Sequence, residues 1–148
     1  MPQSEEANTV YEIESLLRVV ATTVRKNGRA ILVDFDITPP LFDALLWISK
    51  RDPEMTIGEL SANLGLAYST TTDLVDRLEK RGLAERLRDT EDKRVVRLRL
   101  LREGRDVIEH VLDARRQYLG EVLERVDHSN RLMLLEALRL LQKQLDQV

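Results

Sequence analysis

Between Thr56 and Leu100 the chain reads TIGELSANLGLAYSTTTDLVDRLEKRGLAERLRDTEDKRVVRLRL. This stretch limits the possible folds more than any other. Thr56 and Glu59 stand in T-x-x-E spacing. In such a box the threonine oxygen takes the N–H three residues on, and the carboxylate reaches back to the threonine N–H. Met55 and Leu60 flank the box at the positions of a hydrophobic staple. A short helix follows with Ile57, Leu60 and Leu64 inward, and Gly65 stops it. After GLAY a second helix is predicted over residues 69–81, with Thr71, Leu74, Val75 and Leu78 inward and Gly82 closing it. LAERLR and RVVRLRL then alternate like two strands around the turn DTEDK. Val96, Leu98 and Leu100 share one face of the second strand, and Arg97 and Arg99 share the other.

Two short helices joined by a tight turn and followed by a hairpin make a winged helix-turn-helix. In that arrangement the second helix lies in the major groove of DNA, and the hairpin reaches the backbone or the adjacent minor groove. At roughly 100° per residue, Ser69, Asp73, Asp76 and Lys80 fall opposite Thr71, Leu74 and Leu78, with Arg77 on the flank. The outer face is polar throughout, and its leading end offers Ser69, Thr70, Thr72 and Asp73. Charge is distributed accordingly. Residues 77–105 hold eleven Lys/Arg against six Asp/Glu, a local +5, within a chain of net charge −3. A basic island in an acidic protein points to a polyanion at one face. Candidate DNA contacts are therefore Ser69, Thr70, Thr72, Asp73, Arg77 and Lys80 on the helix, with Arg88, Lys93, Arg94 and Arg97 on the wing.

The flanking segments read as helices. Val10, Ile13, Leu17, Val20 and Val24 recur at alternating spacings of three and four, a seam of the coiled-coil type. That helix is expected to end near Gly28. Thr38 and Pro39 suit the N-cap and first position of a second helix carrying Leu41, Phe42, Leu45, Leu46 and Ile48, which Asp52-Pro53 ends. Beyond the hairpin come two long helices. The first has Ile108, Val111, Leu112, Leu119, Val122 and Val126 on its seam, and DHSN turns the chain into the second. There Leu134, Leu138, Leu141 and Leu145 hold one stripe while Leu132, Leu135 and Leu140 widen it. So broad an apolar arc needs partners on more than one side. Its stripe and the seam Val10, Ile13, Leu17 and Val20 are the candidate dimer interface.

The segment LVDRLEKRGLAERLRDTEDKRVVRLRL, with D-x-x-D-x-R at Asp89, Asp92 and Arg94, resembles the wing of the MarR family of dimeric bacterial transcription regulators. ITPPLFDALLWI is similar to the family's second helix, so the resemblance covers nearly the whole chain. It implies a single domain over 1–148, mainly α with a small β-wing. A DNA-binding lobe would span 38–100, with dimerisation helices over 8–33 and 101–147. It also implies a double-stranded DNA partner, a homodimer, a pseudo-palindromic operator and no cofactor. Arg94 becomes the wing-tip arginine of the minor groove, and Asp89 and Asp92 the residues of the wing turn. Small aromatic or anionic effectors often bind below the lobe in this family, which offers Trp47 and Phe42 as pocket lining; core packing is the competing reading. The chain departs from the family pattern at Ala67, where a capping serine is common, and at Leu101, where the wing ordinarily ends in threonine.

Plainer readings stand beside these. Arg97 and Arg99 suit a solvated strand face that discourages edge pairing, and Arg94 suits a turn salt bridge to Asp92. Asp73 and Asp76 each precede a cation by four residues, Arg77 and Lys80, and suit helix-surface pairs. Asp106, His110 and Asp113 share a helix side but lack a fourth metal ligand. The chain has no cysteine, which excludes disulfides and thiolate metal sites. Its apolar runs fall short of a membrane span, and its acidic start resembles no targeting peptide, so the cytoplasm is expected. A winged-helix protein-interaction module is the nearest alternative, and an apolar interface centre is what its wing lacks. A small dimeric enzyme is the alternative from another class. The sequence presents no nucleophile–base pair or phosphate-binding glycine loop for it.

Overall fold

A computed structural model describes residues 2–147. Six helices and one hairpin follow in order: α1 (Pro2–Asp34), α2 (Pro39–Lys50), α3 (Ile57–Leu64), α4 (Tyr68–Lys80), β1 (Ala84–Arg88), β2 (Val96–Leu100), α5 (Arg102–Leu123) and α6 (His128–Leu145). The chain divides into two compact units, the first reaching Val111 and the second starting at Leu112.

The fold is the mainly helical winged helix-turn-helix expected. In the first unit α2, α3, α4 and the hairpin enclose Phe42, Leu45, Ile48, Leu60, Val75, Leu78 and Leu98, all fully buried. The capping box forms as its spacing predicts. Glu59 N–H donates to Thr56 Oγ1 at 3.1 Å, and Thr56 N–H donates to Glu59 Oε2 at 3.0 Å. The Thr56 N–H holds the Glu59 carboxyl below its ordinary pKa against the opposing effect of desolvation, and Arg51 adds to the lowering. Met55 and Leu60, the staple pair, are both buried. Gly65 ends α3 in the left-handed conformation, φ +64°, where a side chain would be strained.

The first helix departs from expectation. Gly28 does not end it: α1 continues to Asp34, with Gly28 and Leu32 both buried one turn apart. A mid-helix glycine costs about 1 kcal/mol relative to alanine, whereas burying a leucine gains roughly 1.5–3 kcal/mol. Burial wins. The chain leaves the helix at Asp36, φ +51°, a conformation that aspartate tolerates better than most residues. At α2, Thr38 is the N-cap and Pro39 follows it, but the threonine side chain makes no capping bond. Val126 lies past the end of α5, in the turn before α6.

Sheet register is Ala84 opposite Leu100 through Arg88 opposite Val96, antiparallel. β2 is held on its other side as well, because Leu98 N–H donates to the Met55 carbonyl at 2.8 Å. Asp52 secures the base of the wing, accepting from Leu100 N–H at 2.8 Å and from Arg105 at 2.7 Å. The second unit holds the end of α5 and all of α6. No residue of α6 is buried, and Leu134, Leu135, Leu138, Leu140 and Leu145 lie exposed.

Candidate nucleic-acid interface

The turn between α3 and α4 is pinned twice. Ser61 Oγ donates to the Leu66 carbonyl at 2.6 Å, and Leu66 N–H donates to the Ser61 carbonyl at 3.2 Å. Ala67 occupies the N-cap of α4 and supplies no side-chain bond, so Ser69 does not cap the helix. The one buried polar residue inside α4, Thr71, satisfies its hydroxyl by donating to the Ala67 carbonyl at 3.1 Å. Thr71, Leu74, Val75 and Leu78 face the core as the wheel predicts. Ser69, Thr70, Asp73, Asp76, Arg77 and Lys80 are exposed, and Thr72 is half-buried.

Asp73 and Asp76 do not behave alike. Neither pairs with the cation four residues on. Asp76 instead takes Arg86 of β1 at 2.6 Å. The same guanidinium reaches Glu79 at 2.5 Å and the Thr72 carbonyl at 3.4 Å, while Glu79 also accepts the Arg86 N–H at 2.7 Å. Partial burial acts to lower the Arg86 pKa; its bonds to Asp76 and Glu79 outweigh that, and the pKa rises. Arg86 therefore clamps the first strand to three successive turns of α4. Sequence reading missed it, because its partners lie on another element and no local spacing links them. Asp73 has no hydrogen bond or ion pair among the described residues, and neither do the side chains of Ser69, Thr70, Thr72, Arg77, Lys80, Arg88 and Lys93.

At the wing tip, Asp89 Oδ1 accepts from Glu91 N–H at 2.9 Å, and Asp92 Oδ1 accepts from Arg94 N–H at 3.0 Å. The Arg94 side chain folds back on Asp92 at 3.1 Å while remaining 92% exposed. So open a pair is worth little against a competing ligand. The Arg94 side chain, then its N–H, lowers the Asp92 pKa; the Glu91 N–H chiefly lowers that of Asp89, with Arg97 adding to it. Arg97 is more committed: its side chain is 35% exposed and donates to the Glu54 carbonyl at 3.0 Å and to Asp89 at 3.5 Å. Arg99 pairs with Glu85 across the strands. Phe42 is fully buried, and Trp47 is half-buried with the Lys50 ammonium 4.0 Å from its ring centre.

An exposed polar helix beside a basic hairpin is an arrangement that reads duplex DNA, and the comparisons agree. The MarR family pattern matches residues 37–96. An HTH-type transcriptional regulator of Bacillus subtilis, YsmB, is 46% identical over 121 residues, covering 82% of each chain. The transcriptional repressor MprA of Escherichia coli is 29% identical over 124 residues, 83% of this chain and 70% of its own. Among solved structures, a MarR family protein from Bacillus stearothermophilus superposes with a TM-score of 0.85 at 43% identity, over 94% of this chain and 96% of that one. Fold, motif and relatives agree that this chain is a DNA-binding transcription regulator and belongs to the MarR family.

Proposed function

We propose that the protein is a cytoplasmic repressor that binds a pseudo-palindromic operator as a homodimer, each copy placing α4 in the major groove and its wing in the adjacent minor groove. The observation that carries this reading is the set of exposed side chains without partners among the described residues, Ser69, Thr70, Asp73, Arg77 and Lys80 on α4 with Arg88 and Lys93 on the wing. Polar groups unpaired among the described residues and gathered on α4 and the wing, at and beside the basic stretch 77–105, are available to bases and phosphates. Repression is supported by the similarity to a transcriptional repressor. The homodimer is supported by the apolar residues left uncovered on α1 and α6. Titrating the protein with random and with selected duplexes at two salt concentrations tests the whole reading. Binding that ignores salt and sequence would defeat it.

Arg94 leaves Asp92 for the narrow minor groove, where the negative potential is enhanced. Arg94→Ala is expected to weaken operator binding and to lower the slope of log K against log salt by about one unit, with fold and oligomeric state intact. An unchanged slope would place the wing tip away from the phosphates.

Asp73 is the unusual member of the helix face. A carboxylate there is repelled by phosphate, and no helix-surface pair to Arg77 neutralises it. Among major-groove donors, carboxylates characteristically accept from cytosine N4, so Asp73 selects a cytosine in each half-site. Asp73→Ala should tighten binding to random duplexes and erase a preference at one base pair worth about 1–3 kcal/mol. Selection from random duplexes with both proteins checks this; identical preferred sequences would reduce Asp73 to a solvated surface group.

A further inference from the structure

Leu66, Ala67 and Tyr68 form an apolar step at the leading end of α4. All three are exposed, Tyr68 to 57% and Leu66 to 37%. Tyr68 is the first residue of the helix, and its hydroxyl has no hydrogen-bond partner among the described residues. A ring more than half exposed leaves most of its apolar surface unused in folding. Its backbone is nonetheless firmly set. Ser61 bonds both polar groups of Leu66, and the Ala67 carbonyl accepts from Thr71 N–H at 3.0 Å and Thr71 Oγ1 at 3.1 Å. The step is thus presented rigidly, directly before the polar pair Ser69 and Thr70.

The major groove edge of a base pair carries hydrogen-bonding atoms and one apolar group, the C5 methyl of thymine. We propose that Tyr68, backed by Ala67, selects a thymine in each half-site by packing its ring on that methyl. This rests on the placement of α4 in the major groove. Ser69, Thr70 and Asp73 can answer base donors and acceptors, and Tyr68 supplies a broader apolar surface than the single methyl of Thr70. A cytosine in the same place has only a hydrogen at C5 and carries its amino donor where thymine has O4, so the ring loses its methyl partner.

Uracil keeps every hydrogen-bonding atom of thymine and lacks the methyl, so it isolates the contact. In a duplex recovered by selection, each thymine is replaced in turn by uracil, and binding is measured for the wild type, Tyr68→Ala and Tyr68→Phe. Wild-type binding should weaken about four-fold at one thymine in each half-site, the value of one buried methyl-sized group. Tyr68→Ala should not respond to that replacement, and Tyr68→Phe should respond as the wild type does. The inference is overturned if no uracil-sensitive position depends on Tyr68, or if Tyr68→Phe loses the response, which would assign the role to the hydroxyl. A wild-type protein that binds no duplex at low salt would overturn the groove placement first, an outcome distinct from binding without methyl sensitivity.

Discussion

Leu134→Asp combined with Leu138→Asp is expected to yield a protein of single-chain mass that binds its operator about 10²–10⁴-fold more weakly than the wild type. Both leucines lie exposed on a helix with no fully buried residue. Leu145 is exposed on the same stripe, and Met133, Leu135 and Leu140 are exposed on its flanks. Each leucine covered in a dimer contributes roughly 1.5–3 kcal/mol, and a buried carboxylate adds a desolvation penalty of several kcal/mol more. Two such changes exceed what a modest interface can absorb. Affinity falls because a dimer converts binding of the second half-site into an intramolecular event, and a monomer forfeits that gain. The helix-turn-helix core does not use these leucines, so binding of a single half-site should survive. Light scattering and titration against whole and half operators check both parts. A double variant that keeps dimer mass and full affinity would move the interface elsewhere.

The second large effect is on stability. Gly104→Ala should lower it by about 3 kcal/mol, the upper end of typical overpacking costs, and the melting temperature by about 10 °C. Gly104 lies in the first turn of α5, buried. A Cβ there would stand 2.1 Å from the Leu83 carbonyl oxygen and 2.9 Å from Leu100 Cδ1. That carbonyl cannot step aside freely, because it accepts the Leu101 N–H at 3.0 Å. The helix must move off the hairpin instead. Alanine's better helix propensity returns about 1 kcal/mol, too little to reverse the sign. Gly58 is the contrast: in α3 a Cβ would only graze Thr56 Oγ1 at 4.0 Å, so Gly58→Ala should be neutral or slightly stabilising. Thermal unfolding of the two variants decides the matter. A Gly104→Ala protein melting at the wild-type temperature would mean that α5 and β1 do not approach as closely as described.

Much of the lobe was readable because its signals are short-range. The T-x-x-E box closes over three residues, the inward face of α4 repeats over three and four, and the strand alternates over two. Each is decided by backbone geometry that neighbouring residues impose. The same locality misled elsewhere, most clearly at Gly28 and Asp76. Gly28 carries a stop signal that burial of Leu32 overrides. Asp76 reads as the partner of Lys80, but its carboxylate bonds Arg86.

From residues and spacing came the order of elements, the cap of α3, the inward and outward faces of α4 and the basic hairpin, and the resemblance of its wing to a known family added the two turn aspartates. Tertiary structure alone decided which of the charged groups are already spent. Arg86 is held by α4, Arg97 by the Glu54 carbonyl and Asp89, and Arg105 by Asp52, whereas Asp73, Arg77 and Lys80 have no partner among the described residues. These assignments depend on side chains that meet across elements, up to 53 residues apart in the case of Arg105 and Asp52. A helical wheel or a strand alternation sees only neighbours on one element. Packing of the hairpin against α4 and against the residues preceding α3 brings the remaining partners within bonding distance, and so separates the charges that hold the wing from those without a partner among the described residues.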